Sequence, residues 1–291
     1  MVHEAVREML DSYECVTAED RINALRDVLQ RLALLGLWRS RFYEHAAFYG
    51  GTALRLLYGL DRFSEDLDFS LLAYDADFSL DRYCGSLKRE IESFGFSVDV
   101  QHAGSERVGT IDSAMIRADV VRQLILVDAG EEFSCGVHPG KLLKIKMEID
   151  IDPPGNFGTE TRYMLRPFPV PVRTYRMPDM FAGKLHAVLC RRWRNRVKGR
   201  DWYDLVWFSS RYPKLHLAHL EARMRKSGDY ADHEDLTLQK LRTMLEQAVE
   251  KLDVDSAREE VSRFVRDPRT LETWSRELFL EAVMRITAFE G

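Results

Sequence analysis

Twenty residues constrain this chain more than any other stretch, from Gly50-Gly51-Thr52 to Asp66-Leu67-Asp68-Phe69. The run His45 to Tyr49 is short and apolar and stops at the two glycines. Thr52 is placed to cap a helix reaching Tyr58, and a strand begun near Asp66 continues to Leu72. Side chains alternate along a strand, so Asp66 and Asp68 share one face while Leu67 and Phe69 anchor the other in a core. Such a carboxylate pair, completed by phosphate and water oxygens, suits Mg2+. Gly50 and Gly51 let the backbone approach phosphate closely, and the helix start adds N–H groups and a positive dipole end. Separately, a Gly-Gly pair is usually a turn and an Asp-x-Asp pair a solvated strand face. In the order strand, turn, helix, strand they are far more specific.

The flanking sequence supplies a frame. Ile22, Leu25, Val28, Leu29, Leu32 and Leu35 recur at helical spacing within residues 18–40, a helix facing a core. Residues 82–94 read as a helix, 97–102 as a strand and 117–127 as a further strand with poor alternation. From Lys141 to Asp152 the alternation sends Lys144, Lys146, Glu148, Asp150 and Asp152 to one face and Ile145, Met147, Ile149 and Ile151 to the other. The proline-rich passage from Pro167 to Pro178 reads as a crossover to a second lobe. Beyond it the pattern is helical: 179–194, 201–210, 217–226, 236–252, 256–265 and 271–288. The expected architecture is α+β, an N-terminal lobe over 1–175 and a helical lobe over 176–291.

With 45% apolar and 31% charged residues the chain can bury a full core. No apolar run reaches the roughly 18 residues of a spanning helix, and the N-terminus lacks a signal-peptide pattern. A soluble, cytoplasmic protein with no membrane partner is expected. Cys15, Cys84, Cys135 and Cys190 show no Cys-x-x-Cys and no close Cys/His pairing, so neither a disulfide framework nor a structural zinc site is expected. His216 and His219 read as ordinary surface histidines. The net charge of -5 hides a basic block: residues 184–226 carry 12 Lys/Arg against Asp201, Asp204 and Glu221, a local +9 that leaves -14 elsewhere. Arg191, Arg194, Arg196 and Lys198 in that block suit RNA phosphates, with Trp193 and Trp202 as stacking surface; a solvated basic face with core tryptophans is the alternative. Arg55 and Arg62 read as phosphate ligands or, by preference, as ion-pair partners of Glu65 and Asp61.

The run Gly50-Gly51-Thr52-Ala53-Leu54-Arg55, then Arg62-Phe63-Ser64-Glu65-Asp66-Leu67-Asp68-Phe69, closely resembles the first motif of the AbiEii/AbiGii-type nucleotidyltransferase toxins, which include the MenT-like toxins. The likeness continues in Lys146-Met147-Glu148-Ile149, in Lys184-Leu185-His186-Ala187 and in Arg200-Asp201-Trp202-Tyr203-Asp204-Leu205, covering about residues 40–210. It implies a minimal polymerase-β-like fold with a helical C-terminal lobe and an active-site cleft between the lobes. It also implies Mg2+ (or Mn2+) on Asp66 and Asp68, and NMP transfer from an NTP to RNA, in characterised members the 3′ end of tRNA. Such toxins halt translation and are restrained by a cognate antitoxin. The family's active-site lysine matches Lys184 and its later aspartate matches Asp201 or Asp204, with Asp201 equally placed to be a helix N-cap. Glu148 sits where the family's strand carries its glutamate, with Asp150 and Asp152 on the same face. Gly50, Gly51, Thr52, Ser64 and Lys146 fall where the nucleotide would bind, and some relatives are silenced by phosphorylation at the serine matching Ser64.

Two rival readings accompany this one. A transferase that nucleotidylates a protein hydroxyl would label protein instead of RNA, and a catalytically inactive nucleotide- or partner-binding module would stay toxic without Asp66. Which NTP, which tRNA, what antitoxin and what oligomeric state are not encoded in any motif.

Overall fold

The computed structural model describes residues 3–103, 110–119, 141–191, 197–231 and 233–289. The chain divides into two compact units, each discontinuous in sequence: Met1–Gly59, Phe63–Pro153 and Thr161–Thr174 form one, and Leu60–Arg62, Pro154–Glu160 and Tyr175–Gly291 the other.

The first unit is built on a seven-stranded mixed sheet. Its strands are β1 (Ala46–Tyr49), β2 (Leu67–Leu71), β3 (Asp99–His102), β4 (Ile111–Asp119), β5 (Leu142–Asp150), β6 (Thr159–Met164) and β7 (Val170–Tyr175), in the order β3-β4-β5-β2-β1-β7-β6. Its helices are α1 (Glu4–Asp11), α2 (Ala18–Arg39), α3 (Gly50–Tyr58) and α4 (Asp81–Ser93). Thr17 and Asp20 close a capping box at the start of α2, and Leu25, Val28, Leu29 and Leu32 are fully buried along it. Phe42, Phe48 and Phe69 fill the core beneath β1 and β2, the Phe69 ring 4.9 Å from Phe42 and 5.1 Å from Phe48. Edge-to-face and tilted contacts of this kind fix β2 from its apolar side.

The second unit is helical: α5 (Met177–Cys190), α6 (Gly199–Arg211), α7 (Leu217–Ser227), α8 (Leu238–Glu250), α9 (Val254–Ser262) and α10 (Arg276–Met284). A small parallel pairing joins β8 (Lys214–Leu215) to β9 (Thr287–Ala288). No helix among the described residues is long and apolar enough to cross a membrane.

Three expectations change. The proline-rich passage is not a bare crossover, because it contains β7, whose Thr174 pairs with Phe48 of β1. Pro169 and Pro171 fall at alternate positions, so Val170, Val172 and Thr174 still point inward. The strand expected over 117–127 is β4, which runs earlier, and residues 120–127 lie outside the described ones. The last expected helix is shorter: Ser275 caps α10 by accepting from Leu278 N at 3.2 Å, and Thr287 enters β9.

Candidate active site

The register of the first unit's sheet gathers most of the candidate carboxylates. Tyr49, the last residue of β1, lies opposite Asp68 of β2, and Asp68 in turn lies level with Glu148 of the parallel strand β5. Adjacent residues in register face the same side, so Asp68 and Glu148 project together, while Leu67 and Phe69 are fully buried behind them. Asp150 stands one pleat further on, level with Ser70, and its Oδ1 accepts from Thr110 Oγ1 at 3.0 Å and from Asp152 N at 3.1 Å. Of the three acidic residues on this face, Glu148 is therefore the one beside Asp68. Lys146 Nζ lies 2.6 Å from Glu148 Oε1. That bond, aided by the charges of Asp66 and Asp68, raises the Lys146 pKa and keeps the ammonium charged.

The Gly-Gly turn has a steric reason. Gly50 has φ +84°, and a Cβ there would run into the Asp68 carboxylate. Only glycine admits both that conformation and that closeness. Thr52 is not the helix cap expected of it. Tyr49 occupies the N-cap position, which no side-chain capping bond marks, and Thr52, buried inside α3, donates its hydroxyl to the Asp66 carbonyl at 2.5 Å. Asp66 itself lies just before β2, which begins at Leu67. Its backbone is held from two sides, since Gln30 Nε2 donates to the carbonyls of Ser64 and Glu65, each at 3.1 Å. Ser64 is buried and precedes the strand, so it does not share the alternation of Asp66 and Asp68 expected of an extended run. Arg55 pairs with the buried Asp27 of α2 at 2.7 Å and lies over the Phe63 ring. Gln30 and Asp27 are the residues sequence reading missed; their signal was polarity inside the apolar run of α2.

The second unit holds the other candidates. Asp204 of α6 is fully buried and receives a fork from Arg62, Nε to Oδ1 at 2.7 Å and Nη2 to Oδ2 at 2.6 Å. Lys184 of α5 reaches the same carboxylate, Nζ to Oδ2 at 2.7 Å. Burial alone would raise the Asp204 pKa, but Arg62 and Lys184 together hold it below the ordinary carboxylate range. Asp201 is not the N-cap of α6, a position held by Lys198, and its carboxylate lies 3.8 Å from Arg191. Arg62 thus finds Asp204 where Asp61 was expected.

The basic block is only partly described. Arg194 and Arg196, with Trp193, lie outside the described residues. Arg191 is exposed, and Lys198 is half-buried with its pKa lowered by burial and by Arg200 and Arg191. Trp202 is no stacking surface: it is buried edge-on against Phe279 at 5.2 Å. His219 is not a surface residue either. It is fully buried, its Nδ1 2.9 Å from the Gly155 carbonyl, and His216 Nδ1 lies 2.6 Å from Asp179.

A divalent cation fits the first unit's residues. Asp66, Asp68 and Glu148 are partly exposed acidic side chains, the last two level on neighbouring strands, and such carboxylate oxygens are the donors a Mg2+-like ion takes.

Comparison with known proteins bears on this arrangement. None of the curated proteins matches the chain. The crystal structure of JHP933 from Helicobacter pylori is similar in fold, with a TM-score of 0.52 and 18% identity over 90% of this chain and 89% of that one. A second H. pylori structure, assigned only provisionally as a nucleotidyltransferase, gives a TM-score of 0.47 and 19% identity over 88% and 89%. The family model of the AbiEii nucleotidyl transferase toxin, from type IV toxin–antitoxin systems, matches residues 32–282. That span takes in both carboxylate strands, the glycine turn and the Lys184–Asp204 pair, and the chain belongs to the AbiEii nucleotidyl transferase toxin family.

Proposed function

We propose that this nucleotidyltransferase toxin transfers an NMP from an NTP to the 3′ end of tRNA and so blocks translation. The observation that carries the reading is the register that sets Asp68 level with Glu148 beside the Gly50 turn. The acceptor hydroxyl oxygen attacks the α-phosphorus, the bond to the β-bridging oxygen breaks, and pyrophosphate leaves. Mg2+ or Mn2+ held by Asp66 and Asp68 would neutralise phosphate charge and favour the alkoxide. Glu148, paired with Lys146, takes the hydroxyl proton as general base. The start of α3, with Gly50 and Gly51, presents N–H groups to phosphate oxygens. Lys184 serves the triphosphate tail as a point charge, and Asp204 positions it, itself anchored by Arg62. Arg191, Arg194, Arg196 and Lys198 grip RNA phosphates, and an antitoxin acts on the toxin in the cytoplasm.

The test is incubation of the purified protein with each labelled NTP, Mg2+ and total tRNA, followed by sequencing of 3′ ends. Asp66→Ala and Asp68→Ala should keep the circular dichroism of the wild type and lose transfer by at least about a hundredfold. Transfer within about tenfold of wild type in both variants would remove the mechanism. Label in protein with none in RNA would replace the acceptor.

A further inference from the structure

Away from the candidate active-site residues, three side chains with metal-binding atoms converge within the helical unit. His186 and Cys190 lie four residues apart on α5, hence on one helix face. Asp229 follows α7, and the ligand atoms of all three lie within 4.8 Å of one another. We propose that His186, Cys190 and Asp229 form a Zn2+ site with an open fourth position. It is independent of the nucleotide chemistry proposed above. It also revises the expectation that no cysteine has a close histidine, since the pair lies four apart and its third member is supplied 39 positions after Cys190.

The framework around these side chains is already organised. Gly228 takes a left-handed conformation at the end of α7, φ +76°, and Asp229 N returns to Met224 O at 2.9 Å. That bond closes a Schellman turn, so the Asp229 backbone is fixed and not trailing from the helix. His186 Nε2 lies 3.0 Å from Ser227 Oγ, which turns the imidazole toward this same corner. All three ligand residues are half-buried. Around a tetrahedral Zn2+ with bonds of about 2.0–2.3 Å, neighbouring ligand atoms stand roughly 3.4–3.8 Å apart, so closure needs rotamer adjustments of about 1 Å.

The donor set selects the ion. One imidazole nitrogen, one thiolate and one carboxylate suit Zn2+, whereas Mg2+ prefers oxygen alone. Thiolate and carboxylate together cancel the charge of the ion, so Arg223 and Arg191, the guanidiniums that act on His186, face a neutral centre. Bound Zn2+ would tie the end of α5, the helix that carries Lys184, to the turn after α7.

The full-length protein, stripped of metal by chelator, is titrated with Zn2+ alone by calorimetry in excess Mg2+, which occupies oxygen-only sites. Co2+ serves in parallel as a spectroscopic probe. The site predicts one Zn2+ per chain, a rise in melting temperature with Zn2+, and a thiolate-to-cobalt charge-transfer band. Cys190→Ser should abolish the band, and Cys190→Ser and Asp229→Asn should each weaken Zn2+ binding at least about tenfold. The two substitutions are close to isosteric at half-buried positions, and their metal-free melting curves should match the wild type. The wild-type cobalt spectrum needs no variant: absence of the band overturns the proposal. So does a band that persists in Cys190→Ser, or Zn2+ affinity unchanged in both variants.

Discussion

Arg62 and Asp204, 142 residues apart, meet in a buried two-bonded ion pair, Nε to Oδ1 at 2.7 Å and Nη2 to Oδ2 at 2.6 Å. Such a fork satisfies a planar guanidinium and both carboxylate oxygens together. Removing Arg62 takes two charge-assisted bonds from a buried carboxylate and leaves it Lys184 alone, so Arg62→Ala should lower stability by up to about 3 kcal/mol. Arg62→Lys should recover only part of this, because an ammonium cannot make the fork. The Asp204 pKa is depressed in the folded protein. Its contribution to stability is therefore present above the unfolded value of about 3.9 and is lost as pH falls through the lower folded value. Urea unfolding of wild type and both variants from pH 7 to pH 3 reads the effect. A wild-type loss of less than about 1 kcal/mol in Arg62→Ala would show that water reaches the pair.

Gly50 and Gly59 provide a matched pair of substitutions. Both have positive φ, +84° and +77°, but a Cβ on Gly59 meets nothing within 4 Å, whereas one on Gly50 runs into Asp68. Each change to alanine should cost about 1–2 kcal/mol of backbone strain. Only Gly50→Ala should also displace the Asp68 carboxylate and lower nucleotidyl transfer, by at least about tenfold. Equal activities in the two variants at equal stability would separate the turn from the chemistry.

His219 is the residue through which mild acid should act. Burial pushes its pKa down to about 3, and Nε2 has no hydrogen-bond partner among the described residues. A histidine held neutral in the fold contributes stability that is complete above its unfolded pKa of about 6.5 and declines as pH falls below it. The slope should approach about 1.4 kcal/mol per pH unit until the folded value is reached. His219→Phe should be less stable at pH 7, having lost the bond to the Gly155 carbonyl, yet show a flatter profile between pH 6.5 and about 4. An unchanged slope would assign the acid sensitivity to another group.

The sheet was legible in the sequence where alternation and core chemistry coincide. Lys144 to Ile151 announced β5 because every second residue is apolar, and the structure buries Ile145, Met147 and Ile149. Register was not legible. The choice of Glu148 over Asp150 depends on how β5 slides along β2, which no periodicity in β5 alone encodes. Long-range partners were hidden for the same reason: Arg62 was assigned to its sequence neighbour Asp61, while Asp204 is distant in sequence and near in space. Trp202 takes the core reading of the two the sequence left open, because an aromatic beside basic residues has the same local pattern whether it stacks on a ligand or packs on Phe279.

If the basic block binds acceptor RNA, neutralising Arg194, Arg196 and Lys198 together should weaken tRNA affinity and leave NTP affinity alone. Each phosphate contact releases about 0.7 counterion on a single strand, so the slope of log affinity against log salt should fall by about 2. Filter binding over a range of salt concentrations measures both quantities. Parallel lines for wild type and triple variant would return the block to a solvated face.

Ser64 bears on regulation. It is 7% exposed, and Gln30 holds its carbonyl and that of Glu65, just before the metal-binding candidate Asp66. A phosphate here would bring a charge of about -1.5 to -2 into a buried position two residues from Asp66. Two consequences follow from burial that exposure would not give. Ser64→Glu should lower both NTP affinity and melting temperature, whereas Ser64→Ala should keep activity within about threefold, since the hydroxyl is given no chemical step. Gln30→Ala, by releasing the two carbonyls, should speed incorporation of phosphate at Ser64 by a serine kinase, read by mass spectrometry. If Ser64→Glu binds NTP as tightly as wild type in a calorimetric titration, Ser64 lies too far from the phosphates to act as a switch. If Gln30→Ala leaves the incorporation rate unchanged, the hold on the backbone is not what shields the serine.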